Sequence, residues 1–266
     1  MRRAPGAGRI ALRVVGVIVF LFLFIPIVIV FPLSVSSAPY LQFPPPGLSW
    51  QWFERYFNDP DWIDATIRSF EVAGATVVLA LATGVPLAYG LTRGSFPGRV
   101  VLDRLMATPM IVPAIIFSVA IYGLFSQLRL IGSWYGLAIA HTILALPFVL
   151  IVVQAGLRGL DRNLEAAAEG LGAGRLTTIR RIVLPQIGPS LVSAALLAFI
   201  TSFDELVVAL FLAGSEMTLP KKMFDNIQME IDPTIAAVSV LQILMIAVAL
   251  GLAAKFGRAT QDARIG

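Results

Sequence analysis

The chain has no cysteine and a single histidine, His141. Without thiols there are no disulfides and no thiolate chemistry, and one imidazole without clustered carboxylates cannot build a metal site. His141 is expected to make an interhelical hydrogen bond instead. Catalytic signatures are missing too. None of the 266 residues form a G-x-x-x-x-G-K-[ST] phosphate loop, a G-x-S-x-G or an H-E-x-x-H, so the chain offers neither a nucleotide pocket nor a catalytic constellation. Charge is scarce: 14% of residues are charged, against about 25% in a soluble domain. Internal repeats and low-complexity tracts are absent as well, which weighs against a self-sufficient secondary transporter built from inverted repeats.

Apolar residues are abundant, at 58% with a mean hydropathy of +0.85. Too little polar surface remains to cover a soluble core of that composition. Six stretches, at about 10–33, 69–91, 105–125, 137–154, 190–212 and 235–256, are long enough to cross a bilayer as helices, since about 20 residues suffice. They lack the period-2 alternation of an outer-membrane strand. The expectation is one all-α integral membrane domain over 1–266 with six transmembrane helices. The first stretch is too long for a signal-peptide core and is read as a retained helix.

Lys and Arg set the orientation. With the N-terminus inside, 15 basic residues fall in inner segments and 5 in outer ones. This bias predicts cytoplasmic N- and C-termini, and attributes the net charge of +4 to topology rather than to nucleic acid. On the outer side, Trp50, Trp52, Phe53, Tyr56, Phe57 and Trp62 suggest a short helix at the membrane surface. It would serve as an aromatic belt, a docking surface, or both.

One segment interrupts the apolar pattern: "EAAAEGLGAGRLTTIRRIVLP", Glu165–Pro185, inside a cytoplasmic loop at 157–188. Asp161 or Asn163 can cap a helix through "LEAAAE", which Gly170, Gly172 and Gly174 then stop. A second short helix follows with Leu176, Ile179 and Val183 on one face, ending at Pro185. Two short helices at a sharp bend make either a knob for another protein's groove or a merely structured loop.

Here the chain resembles the permease subunits of bacterial binding-protein-dependent ABC importers, whose cytoplasmic loop follows E-A-A-x3-G-x9-I-x-L-P. Gly172 is followed by nine residues, then Ile182, Val183, Leu184 and Pro185, so the second half fits in full. Counting back, the alanines are Ala167 and Ala168, the family glutamate falls on Ala166, and Glu165 stands one place early. "AYGLTRGSFPGR", "AHTILALPFVL" and "TSFDELVVALFLAG" before "TLPKKMF" resemble the polyamine branch, which carries spermidine and putrescine.

The resemblance implies the type I ABC importer permease fold in a bacterial inner membrane, with no catalysis by this chain. It implies a second permease subunit, in a heterodimer, and a periplasmic substrate-binding protein. Two cytoplasmic ATPases would hold ATP and magnesium and grip Glu165, Ala166, Ala167, Ala168, Gly172, Ile182, Leu184 and Pro185. An opine, an aminophosphonate or another amino-bearing solute is the alternative cargo.

Asp204 and Glu205 are the only adjacent carboxylates inside an expected span. In an unbroken helix, Asp204 would lie about 22 Å beyond Pro189. A mid-membrane Asp costs about 2.5–3.5 kcal/mol, which turns it toward the bundle interior or an aqueous path. Adjacent helical side chains diverge by about 100°, so one of the pair is expected to face that path. Such a carboxylate suits an ammonium group, with Phe203 flanking the methylenes or offering a cation–π face; a structural pairing is the other reading. In the third span, Pro109 and Pro113 share a face and mark a bend or a static kink.

Overall fold

In the computed structural model, residues 7–229 and 232–262 are described. Arg2, Arg3 and Arg264, counted above among the inner basic residues, lie outside them. All regular elements among the described residues are helices, with one isolated antiparallel bridge between Ser36 and Leu48 in the connecting segments. The chain forms two compact units, Met1–Pro60 with Asp225–Met245, and Asp61–Phe224 with Ile246–Gly266.

In the first unit, α1 (Ala7–Ser34) is an apolar rod exposed from Ala11 to Val28 and partly covered toward Ser34, which is buried. The surface helix expected from the aromatics is α2 (Gln51–Asn58), which buries Trp52 and Tyr56 and exposes Phe57, with Trp50 exposed at its N-cap. The Trp52 indole donates to Ser36 O at 2.7 Å, fixing α2 on the segment after α1. The guanidinium of Arg55 pairs with the buried Asp232 at 2.9 Å.

The second unit is built around α3 (Pro60–Arg93) and α6 (Trp134–Arg158). Between them lie α4 (Arg99–Met106), a 3-10 turn at Thr108–Met110 and α5 (Ala114–Gln127). The expected third span is therefore not one bent helix: α4 with its turn meets α5 at 104°. Pro113 is extended (φ −55°, ψ 135°), and a proline disfavours helix in the residue before it.

After α6 come α7 (Arg162–Gly170), α8 (Arg175–Thr178), a π-helical turn at Ile179–Val183, and α9 (Leu184–Gln186). Pro185 does not end this run, as the sequence suggested. It donates no N–H, and the turn before it widens so that Leu184 N–H reaches Ile179 O. The 75° bend instead falls at Ile187, where α10 (Gly188–Phe203) begins. Next come α11 (Val207–Leu212) and α12 (Leu219–Met229), and α13 (Thr234–Asp262) closes the described chain.

Two apolar cores hold the second unit. One joins Ala145, Val149, Val153 and Leu157 of α6 to Ala194 and Ala198 of α10, with Ala80 and Ala88 of α3. Small residues let these backbones approach closely, as membrane packing requires where lipid is as apolar as leucine. A Cβ on Gly156 would collide with the Ser190 side chain. The other core gathers Ile121 and Phe125 of α5, Leu137 of α6, and Val208 and Leu212 of α11.

Among the described residues, four unbroken helices are long and apolar enough to cross a membrane, and the two bent pairs raise the number to as many as six.

Candidate functional site

Asp161 caps α7, its Oδ1 accepting from Asn163 N–H at 2.9 Å. Ala168 turns inward, while Ala166 and Ala167 stay exposed. The helix ends in a turn at Gly172, whose φ of +89° favours glycine. Beside it Leu171 is 91% exposed, with Leu176 also uncovered. Pro185 is exposed, and Ile182 and Leu184 are half-buried. Leu176, Ile179, Val183 and Leu184 share an apolar cavity of about 270 Å³ with Val85, Pro86 and Tyr89 of α3. The face read from the sequence thus lines one surface, with Leu176 at its open rim.

Glu165 points the other way. Its Oε1 meets Arg93 Nε at 2.8 Å, and its Oε2 accepts from the Tyr89 hydroxyl at 2.8 Å. Arg93 also donates to Leu160 O at 3.0 Å, and Arg162 to Thr92 O at 3.0 Å. The Arg175 guanidinium lies 5.7 Å from the centre of the Tyr89 ring. Sequence reasoning missed Arg93 and Tyr89, although their spacing of four places them on one helix face.

The acidic pair occupies a break in the fifth span, which is not the continuous helix expected over 190–212. α10 stops at Phe203, Asp204 caps it with φ −96° and ψ 4°, and helix resumes at Val207. Glu205 Oε1 accepts from Val208 N–H at 2.8 Å. Such a local side-chain bond competes with the regular ladder and starts a new helix. The divergence expected of helical neighbours therefore does not apply. Asp204 is exposed, and its carboxylate makes no hydrogen bond or ion pair among the described residues. Phe203 is buried, stacked on Phe199 at 5.3 Å and edge-on to Phe70 at 5.1 Å.

At the last turn before that break, His141 and Ser202 meet as the lone histidine suggested. His141, 1% exposed, has its Nδ1 2.9 Å from Ser202 Oγ. Ser202 donates to Thr76 Oγ1 at 3.2 Å, and Thr76 to Ala138 O at 3.3 Å. With Ser202 donating onward, its oxygen is left to accept, which makes His141 Nδ1 the donor. This relay links α6, α10 and α3. Among the described residues no group of His, Asp and Glu is placed to hold a metal.

Residues 77–265 match the family described as binding-protein-dependent transport system inner membrane component. The chain belongs to this family. Among its relatives, the spermidine/putrescine transport system permease protein PotC of Haemophilus influenzae is 32% identical over 230 residues, covering 86% of this chain and 89% of that protein. The sulfate transport system permease protein CysT of Salmonella typhimurium is 30% identical over 205 residues, covering 73% and 72%. A crystal structure of a bacterial ABC transporter involved in alginate import superposes with a TM-score of 0.74 at 21% identity, over 96% of this chain and 99% of that one. The transport component therefore shares the ABC importer permease fold.

Proposed function

We propose that this chain is the permease subunit of an ATP-driven importer for a polyamine, spermidine or putrescine, in a bacterial inner membrane. It forms half of the pathway beside a second permease in a heterodimer and receives cargo from a periplasmic binding protein. Two separate ATPases, carrying ATP and magnesium, grip the 165–185 segment and drive the bundle between inward- and outward-facing states.

The observation that carries the reading is the uncovered tip at Ala166, Ala167, Leu171 and Leu176, in a chain whose sequence has no phosphate-binding loop. An exposed alanine and leucine surface at a rigid turn suits burial against another protein. For the cargo, an exposed Asp204 carboxylate, next in sequence to Phe203 of the Phe70–Phe199–Phe203 cluster, suits a chain of ammonium groups joined by methylenes. The PotC relative supports the same assignment. An uncompensated carboxylate is a poor lining for sulfate or for an anionic phosphonate, and nothing in it selects an opine.

The test is ATP hydrolysis by the reconstituted complex, with the binding protein loaded in turn with spermidine, putrescine, sulfate, an opine or an aminophosphonate. Stimulation by the polyamines supports machine and cargo together. Stimulation by another ligand keeps the machine and discards the polyamine. A chain that recruits no ATPase, or that transports alone, refutes the importer reading.

A further inference from the structure

A cluster of polar contacts fastens the segment between α6 and α10 to the end of α3. Glu165, Leu160 O and Arg162 all bond to Arg93, Tyr89 or Thr92, and Arg175 covers the Tyr89 ring. Every one of these contacts ends on the last two turns of α3. Glu165 is 12% exposed and Arg93 9%, and both carboxylate oxygens are engaged. A carboxylate so occupied is not free to bind another protein.

We infer that Glu165 is a positioning residue, which with Arg93 and Tyr89 makes α3 the path by which a pull on the 165–185 segment enters the membrane bundle. This rests on the coupling role proposed above. The other connection, through α9 into α10, turns 75° at Ile187. α3 has no such break from Pro60 to Arg93. It is fastened again near its far end. Arg68 pairs with Glu71 and with Glu216, each at 2.6 Å. Lys222 pairs with Asp61 at 2.9 Å, and Ser69 Oγ accepts from Leu219 N–H at 2.7 Å. Between Arg68 and Arg93 the helix runs about 38 Å. A displacement of α7 therefore reaches the 216–222 segment, just beyond α11 and its acidic break, through one rod. Directional bonds at both ends hold register better than sliding apolar contacts.

The test uses the assembled complex with spermidine-loaded binding protein and four variants of this chain: Glu165→Gln, Arg93→Gln, both together, and Tyr89→Phe. Co-purified ATPase, basal ATP hydrolysis and cargo moved per ATP are measured. The ATPase should stay bound in every variant. Cargo per ATP should fall about fivefold or more in each Gln variant. The double variant should be no worse than either single one, because both remove the same link. Tyr89→Phe, which loses only a hydroxyl and keeps the fold, should fall less. Wild-type cargo per ATP in all four variants overturns the inference. So does loss of the ATPase in Glu165→Gln but not in Arg93→Gln, which would make Glu165 a direct contact. Failure of the unmodified chain to bind an ATPase refutes the coupling role itself, a different pattern from assembled but uncoupled complexes.

Discussion

Asp204 and Glu205 are neighbours in different settings. The Glu205 carboxylate closes the start of α11 by accepting from Val208 N–H, whereas Asp204 has no partner in the described chain. Their substitutions should separate. Gln at 205 keeps an accepting oxygen, so Glu205→Gln should transport nearly as wild type. Glu205→Ala removes the cap and should cost about 1 kcal/mol of stability, read as a lower Tm of the purified chain. Asp204→Asn should leave the Tm unchanged and abolish most polyamine uptake. Equal loss of uptake in Asp204→Asn and Glu205→Gln would show that both carboxylates meet the cargo. The sequence made the pair conspicuous but could not assign the roles, because that choice depends on a break in α10 which lies in backbone conformation. Glu165 is a similar case. Its place beside the family motif suggested an outward contact, and only the folded chain brings Arg93 and Tyr89, more than 70 residues away in sequence, to its oxygens. Removing one member of a pair this covered strands a charge, at roughly 3–5 kcal/mol. Glu165→Ala should therefore lower the Tm more than the double change with Arg93→Ala, in a thermal melt of the purified complex.

At the scale of elements, the apolar runs were legible because an 18-residue stretch of such composition has few alternatives. The bends were less so. Pro109 and Pro113 marked the third span, but whether a proline kinks a helix or ends it depends on what satisfies the freed carbonyls, which is a tertiary matter. Pro185 shows the opposite error. The helix passes it by widening one turn, and the chain bends two residues later. Close packing was also hidden, since Gly156 reads as an ordinary helix interruption until Ser190 of α10 is found against it. Adding a methyl there forces α6 and α10 apart. Gly156→Ala should lower the Tm of the chain, by the roughly 1–3 kcal/mol typical of overpacking. Ser190→Gly, which removes both atoms in the way, should restore much of that loss. A Gly156→Ala variant as stable as wild type would mean that α10 yields freely, and that the small-residue seam does not set the spacing of these helices.

For the whole molecule, the number of crossings decides which ends face which compartment. Among the described residues four single helices are long and apolar enough to cross, and the pairs α4–α5 and α8–α10 are bent by 104° and 75°. If each pair crosses, the spans number six, the termini share a side, and the basic bias places that side inside. If either pair turns back, the segments flanking it fall on one side. The lack of cysteine makes the chain a clean background for testing this, because a single introduced thiol is the only one present. Leu171→Cys and Ser215→Cys flank α8–α11 at exposed positions, and Ser95→Cys and Leu128→Cys flank α4–α5. In intact cells, a membrane-impermeant maleimide should label 128 and 215 and leave 95 and 171 untouched until the membrane is opened. Equal labelling of 171 and 215 would make the acidic break the tip of a re-entrant loop. Asp204 would then sit at the deepest turn of a segment that enters and leaves on one face, not along a crossing path, and the proposal that it meets the cargo would fall with the topology.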